Sequence, residues 1–338
     1  MTSEQILQAK QQILKQLYQE YEAVATQWAA VIDERQRVIL KRQMDGLERQ
    51  IKEMEREIAQ LTTTTSPTDP QSKSQAASQP TAPQPLYGAG NRWAVLVGVN
   101  AYDDDANYGQ LHVCVKDVGA IHGRLIGGGF DAQRVHLLTD GSTAPPTRAK
   151  VLTALQSVAN ATAPDDLLLF YYSGHGDESG AESYLVARDG HFLTLADTAV
   201  PVSRVQEIVS QAPARAKVIV LDACHSGADL GGKGPKPMSA GFIQRVFEQA
   251  KGMAVLASCE QGQLSYEWKT QERSVFTHYL LEALEGQADH DGKGFVTVQD
   301  ASRYVTDGVG LWASQHYTTQ TPTLHCTMAG DIVLVRYQ

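Results

Sequence analysis

Residues 167–176 read Leu-Leu-Leu-Phe-Tyr-Tyr-Ser-Gly-His-Gly, and this stretch constrains the fold of the chain most tightly. Its first six positions are all apolar or aromatic, with no alternation of polar residues. A strand of that kind is covered on both faces, as in a parallel sheet between two layers of helices. Small and polar residues follow Tyr172, so we expect the strand to end there, with His175 in a Gly-rich turn at its carboxyl end.

A second stretch, residues 218–227, has the same form: Val-Ile-Val-Leu-Asp-Ala-Cys-His-Ser-Gly. We expect its strand to end at Leu221. Shorter apolar runs predict further strands over residues 93–99, 135–138, 254–257 and 332–335. Helical periodicity predicts helices over residues 114–125, 148–159, 203–211, 275–284 and 298–306. This alternation predicts an open α/β domain, with a mainly parallel sheet and helices on both faces.

One reactive side chain follows each of the two long strands. In open α/β sheets, ligands bind beyond the carboxyl ends of the strands. His175 and Cys224 are therefore expected at the same edge of the sheet, and a thiol beside an imidazole is what nucleophilic acyl transfer requires. Alone, such a cysteine is more often a small core residue, and such a histidine is more often a local hydrogen-bonding group. Their combination favours catalysis.

The same two stretches resemble a known family. Residues 172–176 (Tyr-Ser-Gly-His-Gly) and 222–227 (Asp-Ala-Cys-His-Ser-Gly) resemble the signature motifs of the caspase-like cysteine peptidases, most closely the metacaspases and their prokaryotic relatives, the orthocaspases. Residues 111–117 and 257–263 are also similar to segments of that family. The resemblance implies a caspase-haemoglobinase fold over residues 89–338. It also implies a large-subunit-like part, residues 89–230, and a small-subunit-like part, residues 252–338.

Roles for individual residues follow from this resemblance. His175 and Cys224 would form the catalytic dyad, and the backbone N–H groups of Gly176 and Cys224 the oxyanion hole. The resemblance implies four residues that line the substrate pocket: Cys114, Asp117, Ser173 and Asp222. Two carboxylates in one pocket favour Arg or Lys in the substrate. We therefore expect a cysteine endopeptidase that cleaves basic polypeptides after Arg or Lys.

No metal or cofactor is expected. The calcium-dependent metacaspases share adjacent acidic residues in a segment that corresponds here to residues 188–201, where Asp189 and Asp197 stand apart. Gly231 occupies a further position where an acid is expected. A calcium ion would find too few charged oxygen ligands. Residues 289–294 begin like an EF-hand loop, but we interpret them as a Gly-rich turn.

A self-cleavage segment is expected between residues 227 and 252. Caspase-like relatives often mature by a cut in this region, and here it opens with a run rich in Gly and Pro. Lys251 is the favoured candidate for a cut after a basic residue, followed by Lys233. Arg245 lies in a short predicted helix, which would have to unfold locally first.

The first 88 residues differ in character from the rest. Residues 1–61 contain no Pro, and apolar residues alternate at four-three spacing from Leu40 to Leu61. That spacing predicts a helical hairpin or coiled coil that binds a helical partner or self-associates, and a single solvated helix is the alternative. Residues 62–88 are Ser, Thr, Gln, Ala and Pro with little charge, which predicts a flexible linker.

Charge and cysteine usage exclude several classes of function. The net charge is −9, and residues 89–338 carry 19 basic and 27 acidic side chains, so nucleic acid is not an expected partner. No run of about 18 apolar residues and no signal-peptide pattern is found, which predicts a cytoplasmic protein without a membrane partner. Four widely spaced cysteines predict neither disulfides nor a zinc site.

Two alternatives stay open. A helical module tethered to an enzyme-like domain is also how a signalling adaptor would be built. Separase-like and CHAT-type peptidases share the order of His before Cys in the same fold.

Overall fold

The computed structural model describes most of the second part of the chain. The described residues are 86–225 except 144 and 181; 242, 246, 247 and 250; 252–260; and 263–337 except 329. For Cys224 and His225 the description covers the backbone alone. All of these residues belong to one unit, Pro80–Gln338.

Several predictions concern other parts of the chain. The helical module of residues 1–61 lies outside the described residues, as does the linker up to residue 85. The self-cleavage candidates Lys233, Arg245 and Lys251 lie outside them as well.

The strands are short except for two at the centre. In chain order they are β1 (Leu86–Tyr87), β2 (Arg92–Gly98), β3 (Val135–Thr139), β4 (Leu167–Ser179), β5 (Glu182–Leu185), β6 (Val200–Pro201), β7 (Ala216–His225), β8 (Ala254–Ala257), β9 (Glu267–Trp268), β10 (Arg273–Ser274), β11 (Phe295–Thr297), β12 (Thr323–Cys326) and β13 (Asp331–Arg336). The α-helices are α1 (Cys114–Gly127), α2 (Arg148–Ala161), α3 (Leu195–Thr198), α4 (Val202–Gln211), α5 (Val275–Glu282) and α6 (Val298–Gln315).

The main sheet has the strand order β12-β8-β7-β4-β2-β3. All neighbours in it are parallel except β12, which pairs with β8 in the antiparallel sense. Strands β4 and β7 occupy the centre, so residues 167–176 and 218–225 lie side by side.

Both faces of the sheet are buried. Leu168, Phe170 and Tyr172 belong to one hydrophobic core, which includes the buried faces of α2 and α4. The residues between them belong to a second core, with the buried faces of α1, α5 and α6. Because successive side chains of a strand point to opposite faces, the run is apolar at every position. The predicted α/β sheet with helices on both faces is confirmed.

The predicted ends of the two long strands are wrong. Strand β4 continues past Tyr172 to Ser179, and β7 continues past Leu221 to His225. The continuation has a physical cause, because β4 and β7 stay paired as far as Gly176 and His225, and β5 folds back onto the end of β4. His175 therefore lies within a strand rather than in a turn.

The strand predicted over residues 332–335 also lies elsewhere than expected. It forms β13, which pairs with β1 and β11 in a separate three-stranded sheet. In the part of the chain that the structure describes, no helix has both the length and the apolar character needed to cross a bilayer.

Candidate active site

His175 and Cys224 are directly paired in the ladder between β4 and β7. Adjacent strands lie about 4.8 Å apart, so the backbones of these two residues are immediate neighbours. Two residues earlier, Ser173 pairs with Asp222 in the same ladder. Position 222 shares a strand face with position 224, because residues two apart on a strand lie on the same side of the sheet.

The imidazole of His175 is held by a backbone carbonyl. The side chain is buried, and its Nε2 atom lies 2.7 Å from the carbonyl oxygen of Gly109. A carbonyl oxygen accepts hydrogen bonds, so Nε2 must carry a proton to donate to it. In the neutral ring Nδ1 is then the acceptor, which is the form needed to take a proton from a nucleophile.

Two buried tyrosine hydroxyls hold the backbone of His175. The N–H of His175 donates to the hydroxyl of Tyr102 at 2.8 Å, and the hydroxyl of Tyr172 donates to the carbonyl oxygen of His175 at 2.7 Å. Gly174 makes this approach possible, since a Cβ at that position would lie 2.5 Å from the hydroxyl of Tyr172. The ring of Tyr102 also packs on the imidazole, with centroids 4.9 Å apart.

A small pocket adjoins this part of the sheet. Three of the four predicted pocket residues line it, namely Cys114, Ser173 and Asp222. The fourth, Asp117, is fully buried and is not among the residues that line this pocket. The remaining residues that line it are Leu111, Val113, Gly174, Ser265, Tyr266, Glu267 and Ser274.

The carboxylate of Asp222 accepts three hydroxyl hydrogen bonds. Ser265 donates at 2.8 Å, Thr277 donates at 2.9 Å, and Ser274 donates through Oγ. Ser274 is also the N-cap of α5, because its Oγ accepts from the backbone N–H of Thr277. The positive end of that helix therefore faces Asp222, which favours the charged carboxylate.

Asp117 is coupled to Asp222 through Ser274. The N–H of Ser274 donates to Oδ2 of Asp117 at 3.0 Å, and Oδ1 of Asp117 has no hydrogen-bond partner. Burial, together with the nearby charge of Asp222, raises the pKa of Asp117 to about 8. Burial also raises the pKa of Asp222, against the opposing effect of its hydroxyl donors. The two acids therefore lie together in a buried site, where the positive charge of Arg273 partly offsets the rise in the pKa of Asp117.

The wall formed by β9 and β10 was not predicted from the sequence. Glu267 of β9 and Ser274 of β10 line the pocket, as does Ser265 just before β9, and Glu267 adds a third carboxylate at the site. The segment directly follows residues 257–263, which carry part of the family resemblance. The sequence does show an acid, Glu267, in a polar stretch, but an acid there does not indicate the direction in which its side chain points.

The structure also describes the predicted oxyanion-hole residue Gly176 and a second cysteine, Cys259. Gly176 is buried within β4 and pairs with Leu185 of β5 and with His225 of β7. Burial raises the pKa of the Cys259 thiol to about 12, so this cysteine stays protonated at neutral pH and is a poor nucleophile. Among the described residues, no three His, Cys, Asp or Glu side chains group closely enough to hold a metal ion.

Comparison with known proteins gives two family matches. Residues 91–333 match the caspase domain, and residues 4–61 match effector-associated domain 9. Metacaspase-1 of Eremothecium gossypii is 32% identical over 160 residues, which are 42% of this chain and 33% of that protein. Metacaspase-1A of Aspergillus oryzae is 29% identical over 181 residues, 48% of this chain and 41% of that protein. The alignments thus span about a third to two fifths of these relatives.

Proposed function

The chain belongs to the caspase domain family, and on that premise we propose that it is a cysteine endopeptidase that cleaves after Arg or Lys through His175 and Cys224. The observation that carries the proposal is the direct pairing of these two residues in the ladder of β4 and β7. A nucleophile and a base must be held at hydrogen-bonding range throughout the reaction, and a continuous ladder is a rigid way to hold them.

The chemistry follows the usual course of acyl transfer. The Cys224 thiol gives its proton to His175, and the sulfur attacks the carbonyl carbon of the substrate. Backbone N–H groups of Gly176 and Cys224 stabilise the resulting oxyanion. The imidazolium then protonates the leaving amine, the C–N bond breaks, and a thioester remains on Cys224. His175 next takes a proton from water, whose oxygen attacks the thioester, and the acid product leaves with the thiol restored.

The buried acids support a basic specificity. Asp222 and Glu267 line the pocket, and Asp117 lies behind it. A guanidinium or ammonium group of the substrate would add a positive charge beside these acids and would lower the pKa of both aspartates. Arg has the better geometry, because it can bind a carboxylate through two N–H donors. A substrate with Asp at this position would add a further negative charge.

Three further features belong to the proposal. The enzyme cuts its own chain between residues 227 and 252, with Lys251 first and Lys233 and Arg245 as the other candidates. Its activity does not require calcium. Residues 1–61 bind a helical partner or a second copy, and their match to an effector-associated domain supports a role in connecting the enzyme to other proteins.

Active-site labelling tests the proposal. The protein is incubated with a peptidyl chloromethyl ketone that carries Arg next to the reactive group, and a matched reagent carries Asp. We expect one thioether adduct on Cys224 with the Arg reagent, and little with the Asp reagent. Labelling of Cys114, Cys259 or Cys326 in place of Cys224, at equal rates for both reagents, would contradict both the nucleophile and the specificity.

A further inference from the structure

The carbonyl that holds His175 lies on an exposed loop. Gly109 is exposed, and a Cβ added to it would meet nothing within 4 Å. It has no side chain of its own to fix its orientation. Its carbonyl nevertheless accepts the hydrogen bond from Nε2 of His175. Some neighbouring group must therefore keep this peptide in place.

The residue directly before it is a buried anchor. Tyr108 is fully buried, and its hydroxyl donates to Oδ2 of Asp177 at 2.8 Å. Burial, with a smaller contribution from Asp177, raises the pKa of Tyr108 well above its usual value, so the hydroxyl stays protonated and remains the donor. Asp177 is itself buried, and it lies two residues after His175 on β4.

The loop is also fixed at its backbone on both sides of Gly109. The N–H of Tyr108 donates to the carbonyl oxygen of Asp104 at 2.9 Å, and the N–H of Leu111 donates to that of Asn100 at 2.9 Å. These bonds set the path of the loop. The Tyr102 hydroxyl also joins the loop to β4, at the N–H of His175. The Tyr108 hydroxyl adds a bond to β4 from the residue next to Gly109.

We propose that Tyr108 and Asp177 are positioning residues: their buried hydrogen bond fixes the Gly109 carbonyl, which in turn keeps His175 in the tautomer protonated at Nε2. The inference rests on the proposed function, because it assigns these residues to the same dyad. The ring of Tyr108 also lies beside the imidazole of His175, with centroids 6.2 Å apart. Replacing Tyr108 by Phe keeps that ring, so a loss in the variant reports on the hydroxyl and on the peptide that it holds.

The kinetic test is Tyr108→Phe, which removes the hydroxyl alone. We expect kcat on an Arg peptide to fall roughly tenfold, equivalent to about 1.4 kcal/mol, with little change in KM, because the pocket is untouched. Asp177→Ala should have a similar effect. The double variant should lose no more than the larger single loss, since both changes break the same bond. Tyr304→Phe is the matched control, as Tyr304 donates to Glu282 in another part of the domain.

A second readout does not depend on activity. In a Cys224→Ala background with ¹⁵N-labelled histidine, the ring nitrogen shifts of His175 report which nitrogen carries the proton. We expect mainly Nε2–H with Tyr108 in place, and a mixture of the two tautomers with Phe. An unchanged tautomer together with an unchanged kcat would overturn the positioning role. A full-length protein that cleaves no peptide would overturn the proposed function, whereas the ring shifts would still decide the role of Tyr108.

Discussion

Replacing Asp222 by Asn removes the charge of the proposed pocket and keeps the shape of the side chain. Asp222 is buried, and Ser265, Ser274 and Thr277 donate hydroxyl hydrogen bonds to it. The amide oxygen of Asn can accept from part of this set, and hydroxyl groups can rotate to accept from the amide N–H. We therefore expect Asp222→Asn to fold, with a loss of about 1–2 kcal/mol from imperfect pairing.

The effect on a basic substrate should be larger. A hydrogen bond to a charged group contributes about 1.5–3 kcal/mol. That range corresponds to a loss of roughly 10- to 150-fold in kcat/KM for an Arg peptide. Asp117 limits the loss, because the charge of Asp222 is one of the causes of its raised pKa. Without that charge Asp117 ionises more readily, so the double variant with Asp117→Asn should lose more than Asp222→Asn alone.

The assay compares two substrates that differ in charge alone. One fluorogenic peptide carries Arg before the scissile bond, and the other carries citrulline, which is neutral and has nearly the same shape. Asp222→Asn should reduce kcat/KM for the Arg peptide and leave the citrulline peptide nearly unchanged. Glu272→Gln is the matched control, since Glu272 is an exposed acid that pairs with Lys116 and does not line the pocket. Equal losses on both peptides would refute the reasoning.

Four other outcomes are expected. Asp117 has a folded-state pKa of about 8, above its ordinary value of 3.8. The stability that it contributes at low pH is therefore lost as the pH rises from about 4 through about 8, and it does not fall further above that. Asp117→Asn should reduce the fall in Tm between pH 5 and pH 9, and an equal fall in both proteins would argue against a raised pKa. Kinetics in excess chelator, with calcium then added in steps, should show no large gain in rate. Mass spectrometry of fragments should locate a cut after Lys251 or Lys233 in the wild type and none in Cys224→Ala, whereas an intact and fully active wild type would rule out required self-cleavage. The isolated fragment of residues 1–61 should be helical by circular dichroism and should self-associate or bind a helical partner; a monomer with no helicity would contradict the module.

The centre of the fold could be predicted because its signals are local. The run of apolar residues at 167–172 needs cover on both faces, and a sheet between two layers of helices supplies it for several such strands. The ends of β4 and β7 could not be predicted in the same way. They depend on pairing with each other and with β5, and the small residues Ser173 and Gly174 signal a turn when pairing is ignored.

The residues of the site were predictable in part, for the same reason. The motif residues were predicted because each belongs to, or directly follows, a long apolar run in the sequence. The residues that donate hydrogen bonds to Asp222 were not predicted. Ser274, for example, lies 52 residues away in sequence, and a serine in a polar loop has no pattern that identifies its partner. Tyr108 was missed for a related reason, since its partner Asp177 is 69 residues away.

The central claim is that Cys224 and His175 carry out peptide cleavage after a basic residue. The most direct measurement is the turnover of an Arg peptide and an Asp peptide by the wild type, Cys224→Ala and His175→Ala, with circular dichroism to confirm that each protein is folded. We predict cleavage of the Arg peptide by the wild type, slower or no cleavage of the Asp peptide, and loss of activity in both folded variants. Full activity of Cys224→Ala, or faster cleavage of the Asp peptide, would contradict the account.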